Sequence, residues 1–186
     1  MTRPMPGGRR RVDKVLAPEF AADLASLDLP ELRARRHEAE QEEADLSFLR
    51  RMLHGRIAIV RAEIARRSGD SGDGSVVDNL TEILADENRS TRGPGRHLSV
   101  EPSRVDEHRR DVEQVVADAT ISDVEARTDD ELAEAIDRLT AHEAEVSDVR
   151  REVQKVMDAL TQEIGARYRD GSASVEDLLA PGAGQK

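Results

Sequence analysis

Residues Thr128–Tyr168, TDDELAEAIDRLTAHEAEVSDVRREVQKVMDALTQEIGARY, decide how this chain folds. Thr128 and Glu131 form a Thr-x-x-Glu capping box, in which each side chain satisfies a backbone N–H left open at a helix start. From there the sequence runs to Tyr168 without a proline and is rich in helix formers, which predicts one long helix. Val146, Val149, Val153, Val156 and Leu160 recur at helical spacing and mark a packing seam. Beside it lies a polar row, Glu143-x3-Ser147-x2-Arg150-x3-Gln154-x3-Asp158. Its steps of 4, 3, 4 and 4 keep all five residues on one helical face. A solvated face would mix Glu, Lys and Arg freely, with little call for Ser and Gln at fixed places. Acid, hydroxyl, guanidinium, amide and acid in a line are pairing groups for a flat, charged, hydrogen-bonding ligand.

The same arrangement occurs earlier in the chain. Asp28 reads as an N-cap, with Pro30 in the first turn and Glu31 closing a capping box. The helix that follows is expected over Glu31–Arg67, about 37 residues, with Gly55 as its weak point. Its seam is Leu32, Ala39, Leu46, Leu49, Leu53, Ile57, Val60 and Ile64, and the Gly- and Asp-rich run 68–74 stops it. Shifting the chain by 100 residues superposes the halves without a gap, with 16 identities over the 59 positions 9–67. Shared helical composition would give roughly five, so the chain is a duplication. Glu43, Ser47 and Arg50 repeat the first three members of the row; His54 replaces Gln154 and Ala58 replaces Asp158. RRxV elements at 9–15 and 109–115 precede the two helices and read as docking straps.

The expected fold is therefore all-α, with two long helices forming an antiparallel coiled coil, short peripheral helices and a long connector. Residues 1–8 are expected to be a disordered tail, 9–67 the first repeat of strap plus long helix, and 68–108 a connector with a short helix at 75–87. The second repeat covers 109–168, with a short helix at about 103–119 at its start, and 169–186 form a flexible tail.

Composition narrows the function. The chain is 36% charged and 2% aromatic, which suits long helices on narrow seams better than a thick core. Without cysteine there is no disulfide framework and no thiolate metal site. The net charge of −11 disfavours direct nucleic-acid binding and favours a basic protein partner. An anionic ligand must then rely on local arginines such as Arg50-Arg51 and Arg150-Arg151. No apolar run approaches the ~20 residues of a membrane span, and no signal-peptide h-region is present, so a cytoplasmic protein is expected. The histidines share no clear face for a metal, and paired carboxylates such as Asp129-Asp130 have no cleft or nucleophile beside them. Neither an enzyme nor a metal site is expected.

Two Glu-x3-Ser-x2-Arg rows in one chain, the second completed by Gln154 and Asp158, together with ELRARRHEAEQEEADLSFLRRMLHGRI at 31–57, resemble the RsiG-type anti-sigma factors of sporulating actinobacteria. The resemblance spans about residues 9–168. It implies an antiparallel coiled coil whose paired rows hold cyclic-di-GMP, as a dimer of the nucleotide. It also implies that the loaded protein sequesters a flagellar-type sigma factor of the WhiG kind and so regulates transcription. Carried over by position, Glu143, Ser147, Arg150, Gln154 and Asp158 form the complete half-site, and Glu43, Ser47 and Arg50, with His54 in the glutamine position, form the other. Two copies in one chain favour a monomer. The alternative is a coiled-coil adaptor that needs no small ligand.

Overall fold

The computed structural model describes residues 3–69 and 123–171; the expected short helices at 75–87 and 103–119 lie outside the described residues. The described chain is helical throughout its regular structure. A short helix α1 (Arg11–Val15) and two 3-10 turns (Pro18–Phe20 and Leu24–Ser26) lead into α2 (Leu29–Ser68). A third 3-10 turn (Val124–Ala126) leads into α3 (Asp129–Arg169). α2 and α3 pack against each other as a helical hairpin, the antiparallel pair that the two seams require.

Both helix starts follow from their caps. The Asp28 carboxylate accepts the Glu31 N–H at 2.8 Å. At the second start Glu131 accepts the Thr128 N–H at 2.8 Å, while Thr128 Oγ1 accepts the Glu131 N–H at 3.3 Å. The bond from the Thr128 N–H, foremost, and then that from the Thr128 hydroxyl hold the Glu131 carboxyl below its ordinary range. α2 passes through Gly55 unbroken and ends where Gly69 takes a left-handed φ of 82°, a conformation that glycine adopts without strain.

The described residues form two compact units. One contains α2 from Ala44 and α3 as far as Arg150. Its core is Leu46, Leu49, Leu53, Ile57, Ala58 and Val60 against Val124, Leu132, Ala135, Leu139, Val146 and Val149. The other contains residues 4–43 and α3 from Arg151, with a core of Val12, Val15, Phe20, Leu32, Ala39, Val153, Met157, Leu160 and Ile164. Each fully buried leucine or valine stabilises by about 1.5–3 kcal/mol, so these narrow seams outweigh any cap or surface ion pair.

Two seam positions differ from the expected set. Met157 is buried where Val156 was expected, and Ile64 is exposed. The seams step 46, 49, 53, 57, 60 on α2 and 146, 149, 153, 157, 160 on α3. A straight helix drifts by about 20° per heptad, so after several heptads the next residue turns inward and a step of four replaces one of three. At the end of α2 the inward place goes to Glu63, whose side chain is fully buried against Arg66 and Arg67.

The strap at the first repeat packs on the early part of α2. Arg11 pairs with Glu42 at 2.7 Å and Lys14 with Glu38 at 2.7 Å, while Val12, Val15 and Phe20 are buried. Asp13 anchors it. Its buried carboxylate accepts the Met5 and Arg10 N–H groups and both sides of the Arg10 guanidinium fork. The Arg10 side chain is the chief reason that its carboxyl lies below the usual range, against the effect of burial. A Cβ at Gly8 would fall 2.1 Å from Asp13 Oδ2, so any larger residue there would displace the Asp13 carboxylate from its bonds.

Candidate functional site

Six of the nine residues singled out by the row lie in the first unit, on facing stretches of α2 and α3. Arg50 donates from Nε to Glu143 Oε1 and to Ser147 Oγ, both at 3.0 Å. Ser147 Oγ donates onward to Glu143 Oε1 at 2.7 Å. The His54 ring nitrogen lies 2.9 Å from the same oxygen. Arg150 returns the pattern, donating from Nε to Ser47 Oγ at 2.8 Å. Each arginine thus reaches the serine of the opposite copy, and Ser47 and Ser147 hold equivalent places in the repeat.

The spacing explains this convergence. Each arginine follows its serine by three residues on a face beside the seam, so antiparallel packing brings Ser47 level with Arg150 and Arg50 level with Ser147. Glu143 is drawn two ways. Burial pushes its carboxyl up, but hydrogen bonds from Ser147, His54 and Arg50 together hold it below the ordinary glutamate value. It is therefore a carboxylate at neutral pH, with three donors aimed at one oxygen. The pair is also within reach of solvent, since the Arg50 side chain is 36% exposed and that of Glu143 20%. Contacts of that kind can be exchanged for those of a ligand at a modest cost.

In the second unit Gln154 donates from Nε2 to Glu43 at 3.1 Å, and Glu43 is buried. His54 and Gln154, which hold the same position in the two rows, therefore each take the glutamate of the opposite copy. Asp158 is exposed and takes no part in these bonds; Ala58, its counterpart, is buried.

A second set of duplicated contacts lies at the far end of each helix, and the row did not point to it. Arg67, in the last turn of α2, donates to the Arg127, Val124 and Glu125 carbonyls at 2.7, 3.1 and 3.2 Å and to Asp129 at 2.7 Å. Arg167, in the last turn of α3, donates to the Leu24 and Ala25 carbonyls at 2.9 and 3.2 Å. Each is steadied by the glutamate four residues earlier, Glu63 at 2.6 Å and Glu163 at 3.0 Å. The identities Glu63/Glu163 and Arg67/Arg167 were the available signal.

The second unit also has a cavity of about 410 Å³ between the strap and α2, lined by Gly8, Lys14, Phe20, Glu31, Arg35 and Glu38 among others. Its charges are paired within the protein, Lys14 with Glu38 and Arg35 with Glu31, and both cations lie about 6 Å from the Phe20 ring centre (6.0 and 5.6 Å). Among the described residues no helix is long and apolar enough to cross a membrane, and no group of three or more His, Asp or Glu is arranged to hold a metal ion.

These features define an all-α coiled-coil hairpin with a duplicated polar row. The chain belongs to the RsiG-like family, whose model matches residues 18–84 and 118–181. The two matched segments begin at the offset of the internal repeat, one on each copy. Membership supports an anti-sigma-factor role, with a sigma factor as the kind of partner. No curated protein matches the chain.

Proposed function

We propose that this protein is a cyclic-di-GMP-responsive anti-sigma factor without catalytic activity. With nucleotide held between its two long helices, it sequesters a flagellar-type sigma factor of the WhiG kind, as part of the control of sporulation in an actinobacterium. The observation that carries the reading is the reciprocal placement of Arg50 with Ser147 and of Arg150 with Ser47. Guanidinium forks suit phosphate or the O6/N7 edge of guanine, and carboxylates suit the guanine N1 and N2 donors. A duplicated set of both matches a ligand that is itself two-fold, and a dimer of the nucleotide fits that requirement. His54 and Ala58 in the first copy make its half-site the weaker of the two.

Coupling to the partner follows from what the row does without ligand. Glu143, Arg50 and Ser147 bridge α2 and α3 through partly exposed polar contacts, which hold the register of the helices only loosely. A ligand that replaces them with bonds to both helices favours one register and completes the surface that the sigma factor binds. Pull-down of a WhiG-type sigma factor by the full chain, with and without cyclic-di-GMP, tests this. Retention only with nucleotide is expected, and retention of equal strength in both conditions would contradict it.

One observation favours a second reading. The row is largely satisfied by its own members, with three donors on Glu143 alone. A ligand-independent coiled-coil adaptor would use the same bonds only to fix helix register, and its thermal stability would be indifferent to cyclic-di-GMP.

A further inference from the structure

The polar row on α2 does not stop at Ala58. Continuing the same face by three residues, from Ser47 through Arg50, His54 and Ala58, reaches Arg61, which is exposed. On α3 the equivalent step from Asp158 reaches Thr161. The first copy therefore ends His54-Ala58-Arg61 where the second ends Gln154-Asp158-Thr161, so the charge at the end of the row is reversed in sign.

Arg61 is available in a way that its neighbours are not. Arg66 and Arg67 are bound to Glu63, and Arg50 to Glu143. Arg61 makes no hydrogen bond or ion pair among the described residues. The register that sets His54 beside Glu143 puts Arg61 level with Ile136, and the α3 face beyond Glu143 continues through Thr140 and Ile136 without a carboxylate. Its α2 neighbours on that face, Ala58 and Ala65, are small. An exposed guanidinium at the open end of a polar row, in a chain of net charge −11, is a local site for an acceptor-bearing ligand.

We infer that Arg61 is a further binding residue of the proposed nucleotide site, one that gives the first half-site a guanidinium for a pair of acceptor atoms where the second offers the Asp158 carboxylate. The inference rests on the cyclic-di-GMP reading above. The acceptor pair is either two phosphate oxygens or the O6/N7 edge of a guanine. Arg51, also exposed, is repeated as Arg151 and so does not distinguish the two halves; Arg61 does.

The test is titration calorimetry of cyclic-di-GMP into the full chain and into Arg61→Ala, with thermal unfolding of both to confirm that the exposed substitution leaves the fold intact. Loss of a charge-assisted pair should weaken binding by about tenfold or more. A 7-deazaguanine analogue of the nucleotide separates the sources. If Arg61 reads the guanine edge, its substitution costs clearly less with the analogue, which keeps O6 but lacks N7; if it holds phosphate, the full penalty persists. Wild-type binding with Arg61→Ala equally tight would overturn the inference alone, whereas a wild-type chain that binds no cyclic-di-GMP would overturn the nucleotide reading with it.

Discussion

Arg150 donates from Nε to Ser47 Oγ at 2.8 Å, linking the last residue of the α3 stretch in the first unit to a buried hydroxyl on α2. Its repeat equivalent, Arg50, makes the corresponding bond to Ser147 at 3.0 Å. The duplicated sequence thus produces a pair of exchanged contacts, each formed by residues from different copies. Mutations at equivalent positions of the two copies are therefore informative controls for each other.

Glu63 and Glu163 provide the first such pair. Both bind the arginine four residues later, but the Glu63 side chain is fully buried and that of Glu163 is 25% exposed. Glu63 accepts three bonds from Arg66 and Arg67, whereas Glu163 accepts one from Arg167 in a part-buried pair, and each charge-assisted bond contributes about 1.5–3 kcal/mol at most when partly exposed. Glu63→Ala should therefore lower stability several times more than Glu163→Ala. Urea unfolding of the two variants measures the difference.

Arg167 closes the turn ahead of α2 through the Leu24 and Ala25 carbonyls. Lysine keeps the charge but lacks the fork that spans two acceptors. Arg167→Lys should cost roughly 1 kcal/mol for the lost carbonyl bonds. Amide exchange should quicken at residues 24–28, and change much less in the α3 seam around Val153.

Glu143 makes the pH dependence specific. Its carboxyl is held below the ordinary glutamate value near 4.5, burial opposing and the bonds from Ser147, His54 and Arg50 prevailing. A lowered native pKa means stability that is fully present above the unfolded value and lost as the pH falls through the native one. Thermal unfolding between pH 7 and pH 3 should show this acid loss in the wild-type chain. Glu143→Gln should be less stable at neutral pH and show a shallower decline below about pH 4.5.

Much of this was legible in the sequence. The caps at Asp28 and Thr128, the extents of both long helices and the pairing of the two rows follow from local chemistry and from periodicity, which short-range forces obey. The seam was read in steps close to a heptad, and accumulated helical drift turned Met157 inward on α3, while on α2 the buried Glu63, tied to Arg66 and Arg67, took the place expected for Ile64. The arginine clamps at Arg67 and Arg167 were not legible because their acceptors are mainly backbone carbonyls, which every residue carries and no side chain announces. His54 read as a departure from the pattern. The geometry shows that it reaches the opposite glutamate just as Gln154 does.

The most direct measurement is calorimetric titration of cyclic-di-GMP into the full-length chain and into Arg150→Ala, followed by thermal unfolding with and without nucleotide. Saturable binding and a raised Tm are expected for the wild-type protein, with both lost in Arg150→Ala. No heat and no change in Tm for the wild type, or an Arg150→Ala titration that matches it, would contradict the claim that the paired rows form a nucleotide site.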